Sequence, residues 1–258
     1  MPGTPAPPPP TARAVLLTGA TRGIGRRLVR RFTERGDTVV AVGRDEAALA
    51  ELARDFGPAV LTRRCEVTDE AQVAALVEGL DRVDVLVNNA GVSDSAPLHR
   101  TTVASWHQQM AVNALGPFLC TRAVIAPMRE RGAGRIVTVA STAGRVGAPY
   151  TAAYTASKHA ALGVMRVAAA ELAGTGATAN AVCPTFVDTP MTQRSIARIA
   201  ERTGRSAAES EAALGATSPL GRLLSVDEVA DAVLWLASDA AAAINGQALV
   251  LDGGGLQA

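Results

Sequence analysis

The chain has 258 residues, of which 48% are hydrophobic, 19% charged and 3% aromatic. This composition excludes an intrinsically disordered chain, which would be poor in apolar residues and strongly charged. The 25 basic and 24 acidic residues give a net charge of +1, so no strong overall field favours nucleic acid or an anionic membrane as a partner.

Residues 1–11 contain six prolines, which predict an extended, disordered tail outside the fold. After this tail, short β-branched runs alternate with stretches of helical periodicity. The run 14–18 predicts a first strand, and Ile24, Leu28 and Phe32, spaced four residues apart, predict the helix that follows. No later break of this kind interrupts the chain, so we expect residues 12–258 to form one domain.

The same alternation continues to the C-terminus. Six further strands are predicted, at 38–42, from residue 60 onward, and at 83–87, 136–140, 177–183 and 247–251. Between them, Asp45 caps a helix that ends at Gly57, and Ser225 with Glu228 forms a capping box. Strands separated by helices imply right-handed crossovers. We therefore expect an α/β fold, a single doubly wound Rossmann domain whose seven-stranded parallel sheet carries helices on both faces.

The cysteines Cys65, Cys120 and Cys183 are too few and too scattered for a disulfide framework or a metal site. No apolar run approaches the ~18 residues that a membrane helix needs. The N-terminus also lacks the pattern of a secretory signal peptide. We expect a reduced, cytoplasmic protein that uses neither a metal nor a membrane.

Two glycine-containing segments follow predicted strands. Residues 18–25 read TGATRGIG and join the first strand to the first helix. Glycines there permit positive φ and let backbone N–H groups approach a pyrophosphate, to which the helix N-terminus adds partial positive charge. Residues 88–91 read NNAG after the fourth strand, where small residues let the chain pass close to an adenine ribose. A tight turn is the alternative reading of both segments.

Tyr154 and Lys158 are four residues apart, so on a helix they project from one face. An unperturbed tyrosine, with a pKa of about 10, is a poor acid at neutral pH. A lysine cation nearby favours the phenolate, which predicts a tyrosine able to give or take a proton. An accidental pairing on a solvated helix face is the alternative.

Together, the TGxxxGxG segment, the NNAG segment and the Tyr-x-x-x-Lys pair resemble the classical short-chain dehydrogenase/reductase family, in order and spacing, from Ala12 to Gly254. The resemblance implies that Ser141, which ends the fifth strand, hydrogen-bonds the substrate oxygen, and that Tyr154 is the general acid in reduction or base in oxidation. It implies that Lys158 holds the nicotinamide ribose and lowers the tyrosine pKa. The main chain of Asn113 would hold a water of the proton relay, although a helix-bend asparagine is an alternative.

The family's Pro-Gly-x-Val-x-Thr motif has its counterpart at residues 184–189. The resemblance implies that Val187 and Thr189 face the nicotinamide carboxamide. Thr185 stands where the family has glycine, so the chain departs from the family motif at this position.

The residues at the end of the second strand predict whether the chain binds NAD(H) or NADP(H). An acidic residue there would accept the ribose 2′-OH of NAD and repel a 2′-phosphate. This chain has Gly43 followed by Arg44, with Arg22 in the glycine loop, and guanidinium groups suit phosphate. NADP(H) is therefore favoured over NAD(H), unless Arg44 stacks on adenine and Arg22 is solvated. Glu66-Val67 replace the family's Asp-Val, with a contact to the adenine amine as the expectation.

The predicted site is thus a set of residues at strand ends. The predicted catalytic residues are Asn113, Ser141, Tyr154 and Lys158. The predicted cofactor-binding residues are Gly19, Thr21, Arg22, Gly23, Ile24, Gly25, Arg44, Glu66, Val67, Asn89, Ala90, Gly91, Tyr154, Lys158, Pro184, Val187 and Thr189.

Residues 190–220 are expected to form the substrate lid that the family carries, with one amphipathic helix over 193–213. Arg145 and Arg194 are candidates to attract the phosphate of a phosphopantetheine or CoA thioester. The helix after Tyr154 is more apolar than one covered face requires. In the family this helix packs against a partner subunit, which implies a homotetramer or homodimer.

These observations favour an NADPH-dependent ketone reductase acting on a 3-oxoacyl or polyketide-like substrate. A secondary-alcohol or 3-hydroxyacyl-CoA dehydrogenase is the alternative, since the same residues serve the oxidative direction. An alternative of another class is a non-catalytic NADP-binding sensor or scaffold. The presence of both Tyr154 and Lys158 argues against the last, because such a protein would have no use for the pair.

Overall fold

The computed structural model describes residues 12–257, and the predicted proline-rich tail lies outside them. Seven parallel strands form one sheet in the order β3-β2-β1-β4-β5-β6-β7. The strands are β1 (Ala14–Thr18), β2 (Thr38–Gly43), β3 (Val60–Arg64), β4 (Val85–Asn88), β5 (Arg135–Val139), β6 (Thr178–Pro184) and β7 (Ala248–Leu251). The predicted fold class is confirmed, with strand ends displaced by one or two residues.

Helices cover both faces of the sheet. They are α1 (Gly23–Glu34), α2 (Glu46–Phe56), α3 (Glu70–Glu78), α4 (Val103–Met110), α5 (Gly116–Arg131), α6 (Ala152–Leu172), α7 (Pro190–Thr203), α8 (Ala207–Gly215) and α9 (Val226–Leu236). Side chains alternate along each strand, so β1 sends Val15 and Leu17 into a core under α1 and α9, and Leu16 into a core under α3, α5 and α6.

Two predicted helix boundaries depend on local hydrogen bonds that the structure shows. The carboxylate of Asp45 accepts a hydrogen bond from the Ala48 N–H at 3.1 Å, and Gly57 ends α2 with a positive φ of 62°. Ser225 and Glu228 form both halves of the capping box that opens α9. These predictions are confirmed, because each depends only on residues three or four apart.

The prediction of one helix over 193–213 is wrong. Helix α7 begins earlier, at Pro190, and ends at Gly204, which adopts a left-handed conformation with a φ of 71°. A second helix, α8, starts after Ser206, whose side chain forms a capping box with Glu209. The segment is therefore a helical hairpin, because Gly204 stops the first helix and Ser206 nucleates the second.

Helices α4 and α5 run together through the π-helical segment Ala111–Leu115. The combined helix, 103–131, is long and apolar enough to cross a membrane by length and composition alone, which the residue pattern did not indicate. Its buried residues, among them Leu119, Val124 and Met128, belong to the core under the sheet. It therefore serves as a core helix of the domain.

Candidate active site

A cavity of about 740 Å³ opens at the carboxyl edge of the sheet. The strand order brings the ends of β1, β2, β3, β4, β5 and β6 to this edge, so residues far apart in sequence share one wall. Every predicted site residue lines the cavity except Gly25 and Asn113. Gly25 and Asn113 lie behind the residues that line the cavity.

The glycine loop owes its shape to close backbone packing. Gly19 and Gly23 have positive φ angles of 65° and 52°, and a Cβ on Gly19 would lie 2.8 Å from the Cα of Ala90. Gly25 does not face the cavity, because a Cβ there would lie 2.0 Å from the carbonyl oxygen of Gly19. Gly25 is needed for α1 to pack against the loop.

Asn89 holds the glycine loop in place. Its side-chain amide donates hydrogen bonds to the carbonyl oxygens of Thr18 and Gly19, each at 3.0 Å. The Thr18 hydroxyl in turn accepts from the main-chain N–H groups of Asn89 and Ala90, at 3.0 and 3.1 Å. The amide of Asn89 is thus used within the protein, and the two glycine-containing segments form one hydrogen-bonded unit.

The start of α1 is open to an anionic group. Its N-cap residue, Arg22, provides no side-chain cap, and the first turn has no acidic residue. Unpaired N–H groups and the helix dipole therefore face the cavity beside Thr21 and Gly23, an arrangement that suits a phosphate.

Ser141, Tyr154 and Lys158 line the same part of the cavity. Ser141 directly follows Ala140 at the end of β5, and its hydroxyl accepts a hydrogen bond from the Ala143 N–H at 3.1 Å. Tyr154 and Lys158 lie one turn apart on α6, as predicted. Lys158 is 6% exposed, and its ammonium donates a hydrogen bond to the Val139 carbonyl at 2.9 Å.

The electrostatics of this group differ from the sequence prediction. Burial raises the pKa of Tyr154, although the neighbouring Ser141 hydroxyl acts in the opposite direction. Burial also lowers the pKa of Lys158 to about 8. The ammonium is held by a carbonyl group, 5.8 Å from the tyrosine ring centre, so burial outweighs the attraction that we expected to make the phenol acidic. Tyr154 is a protonated phenol at neutral pH.

Asn113 lies in the π-helical segment and is 1% exposed. Its side chain accepts a hydrogen bond from the Val92 N–H and donates to the Val92 carbonyl, each at 2.9 Å, and it donates to the Ser157 hydroxyl at 3.0 Å. It therefore ties the loop after β4 to the helix that carries Tyr154. The predicted role of its main chain stays a prediction.

Thr185 causes no backbone strain. Among the described residues, Tyr150 is the one non-glycine residue with a positive φ, so Thr185 has an ordinary conformation. Its N–H donates to the Leu251 carbonyl at 3.0 Å. Beyond it, Val187 pairs with Leu224 in an isolated parallel bridge, and Thr189 caps α7. The loop is fixed at both ends despite the missing glycine.

The side chains at the ends of β2 and β3 form an ion pair. The guanidinium of Arg44 contacts the Glu66 carboxylate at 3.1 Å, and both side chains line the cavity with Arg22 and Asp45. Gly43 contributes no carboxylate at the position where an acidic residue would meet a ribose 2′-OH. This part of the cavity therefore contains two guanidinium groups and two carboxylates, with Arg44 and Glu66 joined in the ion pair.

The far end of the cavity, beyond Ser141 and Tyr154, has a different character. We call it the outer end. Its lining residues come from the loops after β4, β5 and β6 and from α7, and they are Val92, Ser93, Thr142, Ala143, Val146, Ala148, Thr151, Phe186, Met191, Thr192 and Ser195. The sequence indicated the lid segment 190–220, but it did not single out Phe186 or Ser195. Neither Arg145 nor Arg194 lines the cavity, and Arg145 donates to the Ala248 carbonyl at 3.4 Å.

A glycine loop at the first crossover of a Rossmann sheet, with a serine, a tyrosine and a lysine beside it, defines a dinucleotide-dependent oxidoreductase. Comparison with known proteins agrees with this class. The family model described as enoyl-(acyl carrier protein) reductase matches residues 19–255. The chain belongs to the short-chain dehydrogenase/reductase family, whose members named below act on hydroxyl or keto groups.

The relatives align over nearly the whole chain. The 2-(R)-hydroxypropyl-CoM dehydrogenase of Xanthobacter autotrophicus is 40% identical over 94% of this chain and 98% of its own. The cis-4-hydroxycyclohexanecarboxylate dehydrogenase of Sinomonas cyclohexanicum is 38% identical over 94% and 96%. Among solved structures, a variant of the actinorhodin polyketide ketoreductase with NADPH has a TM-score of 0.87 and 38% identity, over 94% of this chain and 97% of the other.

Proposed function

We propose that this protein is an NADPH-dependent ketone reductase in which Tyr154 is the general acid. The observation that carries the proposal is the placement of Ser141, Tyr154 and Lys158 on one cavity wall, between the open N-terminus of α1 and the outer end. The similarity to a polyketide ketoreductase with NADPH supports reduction, rather than oxidation, as the direction of the reaction. This similarity favours a 3-oxoacyl or polyketide-like ketone as the substrate.

The chain's own residues handle the substrate oxygen and the proton. When bound, the reduced nicotinamide supplies the hydride. The Ser141 hydroxyl donates a hydrogen bond to the carbonyl oxygen and so polarises it. The Tyr154 phenol, kept protonated by burial, gives its proton to this oxygen as negative charge develops there. The Lys158 ammonium stabilises the phenolate that remains, and Asn113 keeps the helix carrying both groups in register with the loop after β4.

The residues present fit NADP(H). The uncapped start of α1 and the glycine loop suit the pyrophosphate. Arg22 and Arg44 suit the 2′-phosphate, and Gly43 leaves room for it. Glu66 keeps Arg44 at the cavity through their ion pair. The same catalytic residues would oxidise a secondary alcohol with NADP⁺, so the direction in the cell follows the cofactor's redox state.

The substitution Arg44→Asp is expected to raise the KM for NADPH by at least tenfold and to change the KM for NADH by less than threefold, because a carboxylate would repel only the 2′-phosphate (about 1.4 kcal/mol per factor of ten). Steady-state kinetics with both cofactors measure this. Arg129→Asp, an equal charge change at an exposed position of α5, is the control. Equal effects on NADPH and NADH would refute the phosphate contact.

Ketone reduction should be independent of pH below about 8 and decline above it. The phenol of Tyr154 stays protonated in this range because burial raises its pKa, whereas the pKa of Lys158 is about 8. Above that pH the ammonium loses its proton, and the transition state loses its stabilising charge, up to about tenfold per pH unit. A pH profile of kcat/KM tests this, and a profile that stays flat to pH 10 would contradict it.

We further propose a cytoplasmic homotetramer or homodimer. All three cysteines are free and buried, which suits a reducing compartment. Leu162 and Met165 on α6 are in the core, so they do not serve an interface, but Val167 on α6 and Phe118 on α5 are 59% and 40% exposed. These exposed apolar side chains favour a contact with a second copy through α5 and α6.

A further inference from the structure

The charges around the cavity are unevenly distributed. The charged side chains that line it are Arg22, Arg44, Asp45, Glu66 and Lys158, and the phenol of Tyr154 and the thiol of Cys65 line it as well. The first four lie at the ends of β1, β2 and β3, and Lys158 is held by the Val139 carbonyl. The outer end, as defined above, has only apolar and hydroxyl side chains. A substrate seated there meets no cation.

One cation on the lid, close in sequence to the outer end, is already paired. Arg198 lies one turn beyond Ser195 on α7, and its guanidinium forms an ion pair with the carboxylate of Asp94, two residues after Val92. Asp94 also accepts a hydrogen bond from the Ser105 hydroxyl at 3.3 Å, and its N–H donates to Gln109 at 3.2 Å. Burial alone would raise the pKa of Asp94, but the hydrogen bonds from Arg198 and the Ser95 N–H lower it, so the carboxylate stays charged.

Resting on the proposed ketone reduction, we propose that the outer end selects uncharged ketones and that Asp94 enforces this choice by pairing with Arg198, one turn beyond the lining residue Ser195. An anionic substrate seated there would lose hydration and, among the described lining residues, would find hydroxyl groups but no cation to replace it. Asp94 directly follows the lining residue Ser93, and its carboxylate occupies the Arg198 guanidinium that would otherwise attract such an anion. Asp94 is thus a specificity-determining residue that does not touch the reacting atoms.

The test compares pairs of substrates that differ only in charge, such as methyl 4-oxocyclohexanecarboxylate against 4-oxocyclohexanecarboxylate, and ethyl 3-oxobutanoate against 3-oxobutanoate. With wild-type enzyme and NADPH, kcat/KM for each ester is expected to exceed that for its acid by at least about tenfold. In Asp94→Asn, which frees Arg198, this ester-to-acid ratio should fall by roughly fivefold. In the double variant Asp94→Asn with Arg198→Gln, the ratio should return toward the wild-type value.

The control variant is Asp81→Asn, a change of the same charge in an exposed segment before β4, which should leave the ratio unchanged. Thermal unfolding of each variant shows that it is folded. Acids reduced as well as esters by the wild type would overturn the inference while leaving ketone reduction intact. A ratio that does not move in Asp94→Asn, or that stays low in the double variant, would overturn the role of Asp94. Reduction of neither ester would instead overturn the proposed function.

Discussion

Replacing Tyr154 by Phe is expected to lower kcat/KM for ketone reduction by about 1,000-fold, which is typical of losing a general acid. The phenol hydroxyl is the group on this cavity wall placed to give a proton, because Lys158 is bound to the Val139 carbonyl and Ser141 is not acidic enough. Removing one oxygen leaves the aromatic ring and the packing of α6 unchanged. NADPH affinity, measured by titration of the tryptophan fluorescence, should therefore change by less than about threefold.

The chain provides a matched control, because its two tyrosines lie four residues apart. Tyr150 is 64% exposed and does not line the cavity, so Tyr150→Phe should retain NADPH-dependent reduction of the same ketones. If Tyr154→Phe keeps more than a tenth of the wild-type kcat/KM, Tyr154 is not the general acid.

The substitution Gly25→Ala is expected to destabilise the domain by about 3 kcal/mol and to weaken NADPH binding by at least about 100-fold. The added methyl group would lie 2.0 Å from the Gly19 carbonyl oxygen and 2.7 Å from the Asn89 side-chain nitrogen, and these two atoms hydrogen-bond each other. The glycine loop would have to move away from α1, whereas alanine is otherwise favoured in a helix. Urea unfolding and fluorescence titration measure the two effects.

Gly147→Ala is the control for that experiment. A Cβ on Gly147 meets no atom within 4 Å, and its φ is not positive, so both measured quantities should stay close to the wild-type values. If Gly25→Ala has the stability and NADPH affinity of the wild type, the close packing of α1 against the glycine loop is not required for either property.

The fold could be predicted because its signals are local. Periodicity of two and 3.6 residues, the cap at Asp45 and the capping box at Ser225 each depend on a few neighbouring residues. The hairpin of α7 and α8 was missed although Gly204, followed by Ser206 and Glu209, carries a recognisable stop and start. The amphipathic pattern continues on both sides of Gly204, so it predicted one helix although Gly204 is a helix-ending residue.

That most of these residues share one cavity could be predicted because the carboxyl ends of parallel strands meet at one edge. The interactions within it could not. The Arg44–Glu66 ion pair depends on the register of β2 against β3, and the amide of Asn89 binds a loop 70 residues away in sequence. The pKa of Tyr154 follows from its burial, which the spacing to Lys158 does not report. Burial and register are properties of the assembled sheet.

The most direct test of the central claim follows the hydride itself. NADPH carrying deuterium on one face of C4 of its nicotinamide is oxidised by the wild-type enzyme in the presence of methyl 4-oxocyclohexanecarboxylate, and the alcohol is analysed by mass spectrometry and NMR. We expect one alcohol for each NADPH oxidised, with deuterium at the carbinol carbon when one face is labelled and none when the other is. Loss of NADPH without alcohol, or alcohol free of deuterium from both labelled cofactors, would contradict reduction of a ketone at this site.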